Sequence, residues 1–358
     1  MTAERVPVRE SLRDVEPYGA PQLDVPVRLN TNETPEPPPD AFLSAYVDRI
    51  GTTSLNRYPD RDHVELRRSI AARHDVAVEQ VWAANGSNEV IMQLLQVYGG
   101  VDRTVASVSP SYSMYPEFCR TTQTGFVEVD LPDTFEFTAA TAAALAATGA
   151  DVILLASPNN PVGNVIDQGH FVRLHDQTDA LIIADEAYVE FADGDCSVVP
   201  LVAKLPRLVV VRTLSKAFRL AGLRLGYLVA APWVVADVQK VRLPYHLDSL
   251  KQIAGVVALE REPEFLAHRA MIVAERHRMV AALAELPQVE VYPSAANFVL
   301  IRSTVDELFD RLLARGVLVR DFSTTRRLQG CIRVTIGTPD ENEAFLTAVR
   351  DVIVEATD

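Results

Sequence analysis

Short runs of consecutive apolar residues alternate with stretches of helical periodicity through the middle of the chain. A strand that is buried on both faces shows no alternation of apolar and polar residues, so such runs are typical of parallel strands covered by helices. The pattern predicts strands of this kind at 81–84, 104–109, 125–129, 151–156, 180–184, 208–211 and 225–230. The helical spacing between them predicts an α/β fold with a mostly parallel central sheet flanked by helices.

The two ends of the chain have a different pattern. Residues 1–40 are rich in proline, which cannot lie inside a helix, and they predict an extended arm. After Pro232, short strands alternate with helices in a way that predicts a smaller α+β domain. We therefore expect an N-terminal arm with part of the small domain at 1–45, a large domain at 46–244 and a small C-terminal domain at 245–358.

The composition is that of an ordinary folded protein, with 48% hydrophobic and 23% charged residues among 358. The net charge of −14 argues against a general binder of nucleic acid or anionic membranes, so an anion site must be built from individual arginines. Three cysteines lie far apart and predict free thiols rather than a disulfide framework or a metal site: Cys119, Cys196 and Cys331. No apolar segment is typical of a signal peptide or long enough to span a bilayer, so we expect a cytoplasmic protein.

A lysine, Lys216, follows the apolar run at 208–211 and is expected at the mouth of a buried strand. Lysine is seldom buried, and burial near other cations lowers its pKa, which makes the amine nucleophilic. Ser215 precedes Lys216 and Arg224 follows eight residues later, and a hydroxyl and a guanidinium are groups that bind phosphate. The pattern suggests that Lys216 holds pyridoxal 5'-phosphate as a Schiff base, whereas the simpler alternative is a surface lysine in a basic turn.

The ends of neighbouring predicted strands carry other groups that this cofactor needs, because ligands of open α/β sheets bind at the carboxyl ends of strands. Asp185 ends its strand, where a carboxylate can keep a pyridine nitrogen protonated. Tyr188 and Asn160 can each hydrogen-bond the phenolic oxygen of the ring. Each also has an ordinary explanation: a carboxylate that caps a turn, a tyrosine in the core, and an asparagine in a turn.

Two further segments complete the predicted site. Tyr112 follows the strand at 104–109 and can stack on the ring, or simply pack in the core. The segment Gly86, Ser87, Asn88 begins a predicted helix, whose first N–H groups form either a phosphate site or a plain helix start. No single residue decides between these explanations, but their coincidence at one edge of one sheet favours a pyridoxal phosphate site.

Eleven sequence motifs spread over nearly the whole chain carry a resemblance to a known enzyme family. They are P-Y-G-A-P-Q-L (17–23), R-L-N-T-N-E-T-P (28–35), N-R-Y-P-D-R-D (56–62), W-A-A-N-G-S-N-E (82–89), P-S-Y-S-M-Y (110–115), S-P-N-N-P-V-G (157–163), D-E-A-Y (185–188), R-T-L-S-K-A-F (212–218), A-G-L-R-L-G-Y (221–227), R-L-P-Y-H-L (242–247) and A-N-F-V (296–299). The sequence resembles the fold-type I pyridoxal-phosphate-dependent aminotransferases and, within them, the histidinol-phosphate aminotransferases of actinobacteria.

The resemblance implies the roles of the cofactor residues. Lys216 would carry pyridoxal 5'-phosphate and Asp185 would pair with its ring nitrogen. The remaining cofactor contacts would come from Gly86, Ser87, Asn88, Tyr112, Asn160, Tyr188, Ser215 and Arg224. The family also implies a homodimer in which Tyr58 reaches the cofactor phosphate of the neighbouring subunit.

The same resemblance implies the substrates and the residues that bind them. It assigns substrate binding to Tyr18, Asn160, Arg320 and Arg333. Two arginines can pair bidentately with the phosphate of histidinol phosphate or with the carboxylates of glutamate. The implied reaction, a step of histidine biosynthesis, converts histidinol phosphate and 2-oxoglutarate into imidazole acetol phosphate and glutamate by a ping-pong route. These partners are small molecules, with no nucleic acid, membrane or metal ion expected.

Other functions share much of this pattern. An aromatic amino acid aminotransferase has the same cofactor residues, a C–S lyase or decarboxylase has the same fold, and a pyridoxal-phosphate-binding regulatory domain is a non-enzymatic alternative. Three segments of the sequence differ from the family pattern. N-E-T-P (32–35) stands where the family has N-E-N-P, P-V-G (161–163) where it has P-T-G, and A-G-L-R (221–224) where it has A-G-G-R. None of these differences removes a catalytic group.

Overall fold

The computed structural model describes residues 6–13, 15, 17, 19 and 21–357. Within these residues the chain forms thirteen strands, numbered in chain order. They are β1 Val27–Arg28, β2 Val81–Ala84, β3 Thr104–Ser109, β4 Gly125–Asp130, β5 Val152–Ala156, β6 Leu181–Asp185, β7 Leu208–Thr213, β8 Gly226–Val229, β9 Val289–Val291, β10 Phe298–Ser303, β11 Val317–Leu318, β12 Arg320–Asp321 and β13 Cys331–Thr335.

Twelve α-helices lie between and after these strands in the same described part of the chain. They are α1 Asp40–Gly51, α2 Val64–His74, α3 Ser87–Tyr98, α4 Met114–Thr122, α5 Ala139–Ala147, α6 Gln168–Gln177, α7 Pro232–Val238, α8 Ser249–Glu260, α9 Glu262–Leu266, α10 Arg269–Ala284, α11 Leu308–Ala314 and α12 Pro339–Thr357. The sequence predicts one helix over 263–285, whereas the structure divides this stretch into α9 and α10.

Seven strands form the central sheet in the order β2-β8-β7-β6-β5-β3-β4. The pairs from β7 through β4 are all parallel, while β8 runs antiparallel to both of its neighbours. The prediction of a mostly parallel sheet flanked by helices is therefore confirmed. The parallel strands bring their carboxyl ends, with Asp185 at the end of β6, to one edge of the sheet.

Both faces of the central sheet are buried, and this explains the uniformly apolar strands. In β5, Ile153 and Leu155 belong to the core that contains Phe171 of α6, whereas Leu154 belongs to the core that contains Leu94 of α3. Successive side chains of a strand point to opposite faces, so a strand between two helical layers must be apolar at every position. The polar groups of the sheet are left at its ends.

The C-terminal part of the chain builds a second, antiparallel sheet in the order β12-β13-β10-β9. Its core includes Phe298 of β10 together with residues of α10, α11 and α12. The N-terminal segment joins this part, because β1 pairs with β11 and Leu29 is buried in the same core. Among the described residues, no helix is both long and apolar enough to cross a lipid bilayer.

Candidate active site

A cavity of about 330 Å³ lies between the carboxyl ends of the central strands, the N-terminal segment and the antiparallel sheet. Its volume is in the range of pockets that hold small molecules. Eleven of the residues predicted from the sequence line it: Ser87, Asn88, Tyr112, Asn160, Asp185, Tyr188, Ser215, Lys216, Arg224, Arg320 and Arg333. These residues come from segments that lie far apart in the sequence, and the fold brings them together.

The Lys216 side chain projects into this cavity from the turn after β7. Its Nζ donates a hydrogen bond to the backbone oxygen of Thr31 at 3.0 Å and lies 5.7 Å from the centre of the Tyr188 ring. Burial, helped by the nearby Arg333 and Arg224 guanidinium groups and opposed by Glu33, lowers the pKa of Lys216 to about 7. A substantial fraction of this amine is therefore neutral, and nucleophilic, near pH 7.

Asp185 ends β6 at the floor of the cavity and is almost completely buried. Its Oδ2 accepts a hydrogen bond from the Tyr115 hydroxyl at 3.0 Å, and its Oδ1 accepts one from the Ala187 amide at 3.2 Å. Burial raises the pKa of Asp185 to about 6, and the negative Glu186 beside it acts in the same direction, while the two hydrogen bonds oppose the shift. A cationic group bound in the cavity would favour the ionised carboxylate.

A hydrogen-bonded chain connects the substrate side of the cavity to the Tyr188 hydroxyl. Arg333 Nη1 donates to Asn160 Oδ1 at 2.6 Å, and this contact turns the Asn160 amide nitrogen toward Tyr188, to which it donates at 3.3 Å. Asn32, from the N-terminal segment, donates to the same hydroxyl at 3.1 Å. The orientation of Asn160, which the sequence could not show, is thus fixed by Arg333.

The start of α3 forms the opposite wall, where several phosphate-binding groups meet. Arg224 Nη1 donates to the Ser215 hydroxyl at 3.3 Å, and no side chain of the described residues caps the first N–H groups of α3. Gly86 precedes the helix with φ of +90°, and a Cβ there would lie 2.9 Å from Arg224 Nη2. The unpaired N–H groups, the hydroxyls and the guanidinium together form an anion site.

Tyr112 lines the cavity near this wall, where its hydroxyl accepts a hydrogen bond from Asn88 Nδ2 at 3.5 Å. Of the predicted residues that the structure describes, Gly86 and Tyr58 do not line the cavity. Tyr18 lies outside the described residues. Tyr58 is 79% exposed and stacks on Tyr245, with ring centroids 4.3 Å apart.

Sequence reasoning missed three residues that contact the site directly. Thr31 and Asn32 belong to the N-terminal segment. They contact Lys216 and Tyr188, which follow them in the sequence by 185 and 156 residues. Tyr115 lies in the motif at 110–115, but nothing in the pattern distinguishes it from a core aromatic. The available signal was its position three residues after Tyr112, across the turn that begins α4.

The donor set at this site suits a flat, phosphorylated ring with a basic nitrogen. The anion site at α3 suits the phosphate, Asp185 suits the ring nitrogen, and the neutral fraction of the Lys216 amine suits a carbonyl carbon. Arg320 and Arg333 line the same cavity, where their guanidinium groups suit a second anion.

Comparison with known proteins identifies the family. Residues 25–349 match the family described as aminotransferase class I and II. The chain belongs to this family. Curated relatives at 43–46% identity cover nearly its whole length.

Each of these relatives is named histidinol-phosphate aminotransferase. The chain is 46% identical over 362 residues to a histidinol-phosphate aminotransferase of Streptomyces avermitilis, covering 97% of this chain and 96% of the relative. It is 45% identical over 366 residues to the histidinol-phosphate aminotransferase of Corynebacterium diphtheriae, covering 98% of each.

A solved structure has the same fold. The histidinol-phosphate aminotransferase from Sinorhizobium meliloti, in complex with pyridoxal-5'-phosphate, matches with a TM-score of 0.89 and 22% sequence identity. The match covers 99% of this chain and 100% of that chain. The fold predicted from the sequence, with the mostly parallel central sheet of the fold-type I aminotransferases, is therefore confirmed.

Proposed function

We propose that this chain is a pyridoxal-phosphate-dependent aminotransferase that converts histidinol phosphate and 2-oxoglutarate into imidazole acetol phosphate and glutamate. The observation that carries the proposal is that Lys216, with its lowered pKa, shares one cavity with Arg320 and Arg333. The names of the relatives support the choice of substrate. Histidine biosynthesis and a cytoplasmic location follow from this reaction as part of the same proposal.

The proposed cofactor contacts use the groups described above. Arg224, Ser87 and Ser215 bind the phosphate together with the first N–H groups of α3, where Gly86 leaves space and Asn88 lies in the first turn. Tyr112 would stack on the ring, and Asn160 and Tyr188 would hydrogen-bond its oxygen. Asp185 faces the ring nitrogen and stabilises its proton.

When bound, pyridoxal 5'-phosphate supplies the electron sink and carries the amino group between the two substrates. The chain supplies the proton transfer. A substantial fraction of the Lys216 amine is unprotonated at pH 7, and this amine accepts the proton from the substrate carbon that bears the amino group. Its hydrogen bond to Thr31 would hold the free amine inside the cavity as the proton acceptor.

Arg320 and Arg333 bind the oxyanion of the substrate in this proposal. Arg333 is held by Asn160 and by the backbone oxygen of Asn30 at 2.8 Å, so its guanidinium plane is fixed. A planar guanidinium can pair bidentately with either a phosphate monoester or a carboxylate. One site can then accept histidinol phosphate in the first half-reaction and 2-oxoglutarate in the second. Tyr18 remains part of the proposal as a residue of the arm that contacts the substrate.

The proposed assembly is a homodimer with Tyr58 contributed across the interface to the neighbouring cofactor phosphate. Support comes from a cluster of exposed apolar side chains that includes Tyr58, hereafter the exposed apolar patch: Leu55, Tyr58, Leu243 and Tyr245. Tyr58 and Tyr245 stack on each other, with Leu55 and Leu243 near them in the sequence, and exposed apolar groups of this kind support a protein–protein interface. The division of the chain at residues 45 and 244 into an arm, a large domain and a small domain belongs to the same proposal.

The proposal is tested by measuring amino transfer with the purified protein and 2-oxoglutarate. We expect glutamate to form, with a larger kcat/KM for histidinol phosphate than for phenylalanine, because near pH 7 the phosphate monoester offers Arg320 and Arg333 more negative charge than the phenylalanine carboxylate does. A larger kcat/KM for phenylalanine would refute the substrate. Release of carbon dioxide or pyruvate without glutamate would refute amino transfer and support the decarboxylase or C–S lyase alternative.

A further inference from the structure

Tyr115 is a buried tyrosine that touches the site from below the cavity floor. It is the second residue of α4 and has no exposed surface. Its hydroxyl donates to Asp185 Oδ2 at 3.0 Å, while Asp185 Oδ1 accepts from the Ala187 amide. Each oxygen of this carboxylate therefore has one fixed donor, and the plane of the carboxylate is set by one residue of α4 and one of its own segment.

The position of Tyr115 is itself fixed by its neighbours. Its amide donates to the Tyr112 backbone oxygen at 3.1 Å, in the turn that begins α4. The two rings meet edge to face, with centroids 5.4 Å apart and an angle of 89° between the planes. Edge-to-face packing is a favourable geometry for aromatic rings. Tyr115 therefore connects the proposed ring-stacking residue, Tyr112, to the proposed ring-nitrogen partner, Asp185.

The electrostatics of Asp185 show what this hydrogen bond does. Burial raises the pKa of the carboxyl, and Glu186 on the same segment raises it further. The Tyr115 hydrogen bond is the largest effect in the opposite direction, followed by that of the Ala187 amide. On the Tyr115 side, Tyr112 and Tyr188 are the other ionisable neighbours, and Lys216, Arg224 and Arg333 line the cavity above.

We propose that Tyr115 is a positioning residue, which fixes the orientation of the Asp185 carboxylate and stabilises its negative charge through a hydrogen bond. The proposal rests on the proposed function in one respect, because it gives Asp185 the ring nitrogen of pyridoxal phosphate as its partner. Without Tyr115, the buried carboxylate holds its own proton more tightly, and a protonated Asp185 cannot pair with a protonated ring nitrogen.

The test compares Tyr115→Phe with the wild-type chain and with a matched control, Tyr98→Phe. Tyr98 donates to Asp237 at 3.0 Å outside the cavity, so the control removes a tyrosine–aspartate hydrogen bond of equal length. The dissociation constant of pyridoxal 5'-phosphate is measured by titrating the cofactor-free full-length protein from pH 6 to pH 9.

The expected result is a pH-dependent loss of cofactor affinity. Tyr115→Phe should raise the dissociation constant about tenfold near pH 7, a change of about 1.4 kcal/mol. The ratio of variant to wild type should increase as the pH falls from 9 to 6, because the raised pKa of Asp185 leaves less carboxylate to bind the ring nitrogen. Titration of Lys216 affects both proteins equally and cancels from the ratio. Tyr98→Phe should give a ratio near one at every pH.

A ratio for Tyr115→Phe that equals that of Tyr98→Phe, or that does not vary with pH, would overturn the proposal while leaving the proposed function intact. Absence of pyridoxal 5'-phosphate binding by the wild-type chain would instead refute the proposed function.

A second comparison uses stability and needs no cofactor. Tyr115→Phe should destabilise the wild-type protein at pH 8 but have a much smaller effect in an Asp185→Asn background, which has no buried carboxylate to support. The double variant is expected to fold even if Tyr115→Phe alone is too unstable to purify. Equal destabilisation in both backgrounds, or a double variant that also fails to fold, would contradict the proposal.

Discussion

At the scale of single residues, burial shifts two ionisable groups of the cavity toward their neutral forms. The pKa of Lys216 is lowered to about 7 and that of Asp185 is raised to about 6, in both cases mainly by removal from water. Such shifts cost stability, and they are concentrated at functional sites. Burial of Lys216 and Asp185 thus lowers the stability of the folded protein and produces the protonation states that the proposed chemistry uses.

Asp185→Asn is expected to lower activity and to increase the stability of the cofactor-free protein. The folded pKa of Asp185 lies above its ordinary value of 3.8, so the folded state binds the proton more tightly and stability falls as the pH rises from about 4 to about 6. The substitution removes this loss, which amounts to about 3 kcal/mol at pH 8 and little at pH 4. Chemical denaturation at the two pH values measures the difference.

The same variant should lose at least about a hundredfold in kcat/KM, or about 2.7 kcal/mol of transition-state stabilisation, because the ring nitrogen loses its partner. Steady-state kinetics with histidinol phosphate checks this loss. Wild-type activity in the Asp185→Asn variant would show that the Asp185 carboxylate has no role in the reaction.

At the scale of secondary-structure elements, the strands were predictable because burial on both faces makes them uniformly apolar. The predicted strands at 81–84 and 104–109 coincide with β2 and β3, and the ends of β5, β6 and β7 fall within two residues of their predicted positions. Since parallel strands share one carboxyl edge, the convergence of Asn160, Asp185 and Lys216 followed from the pattern as well.

Contacts between distant segments were not predictable from periodicity. The reversed direction of β8 depends on its pairing with β2, about 145 residues earlier in the chain. The N-terminal segment reaches Lys216 through the Thr34 hydroxyl, which donates to the Lys216 backbone oxygen at 2.7 Å, as well as through Thr31. Proline-rich sequence predicts an extended arm but carries no information on where the arm docks.

The turn before α3 yields a prediction for the phosphate site. Gly86→Ala introduces a Cβ 2.9 Å from Arg224 Nη2 at a φ of +90°, so it should displace the guanidinium from the anion site and strain the turn. We expect about tenfold weaker binding of pyridoxal 5'-phosphate, or about 1.4 kcal/mol, and nearly unchanged binding of pyridoxal, which lacks the phosphate. Equilibrium titration with both compounds measures the two effects.

Gly100→Ala is the matched control for this substitution. Gly100 also has a positive φ, of +116°, but a Cβ there would meet no atom within 4 Å. An alanine at residue 100 would share an unfavourable positive φ with one at residue 86 but would not contact Arg224. Gly100→Ala should therefore leave the affinity for both compounds unchanged. Equal losses for pyridoxal and its phosphate in Gly86→Ala would contradict a phosphate site at α3.

At the scale of the whole molecule, the exposed apolar patch predicts the assembly. Leu243 is 73% exposed, and a charge buried in the proposed dimer interface is unfavourable because it must be desolvated without a partner. Leu243→Asp should therefore shift the protein from dimer to monomer in sedimentation velocity. It should also weaken cofactor retention, since Tyr58 would no longer reach the neighbouring subunit.

The matched control is Val354→Asp. Val354 is 60% exposed on α12, outside the exposed apolar patch, so the same change there should leave the sedimentation coefficient unaltered. A monomeric wild-type protein, or a Leu243→Asp variant that remains dimeric, would contradict the proposed interface.

The most direct test of the central claim is to identify the lysine that reacts with pyridoxal 5'-phosphate. The sequence contains four lysines, Lys204, Lys216, Lys240 and Lys251, which makes the assignment by borohydride reduction and peptide mass spectrometry simple. We predict modification of Lys216 with a midpoint near pH 7, as its lowered pKa requires, and little modification of the exposed Lys240. Modification spread over the other lysines, or a Lys216 that reacts only near pH 10, would contradict the assignment of Lys216 as the cofactor-binding amine.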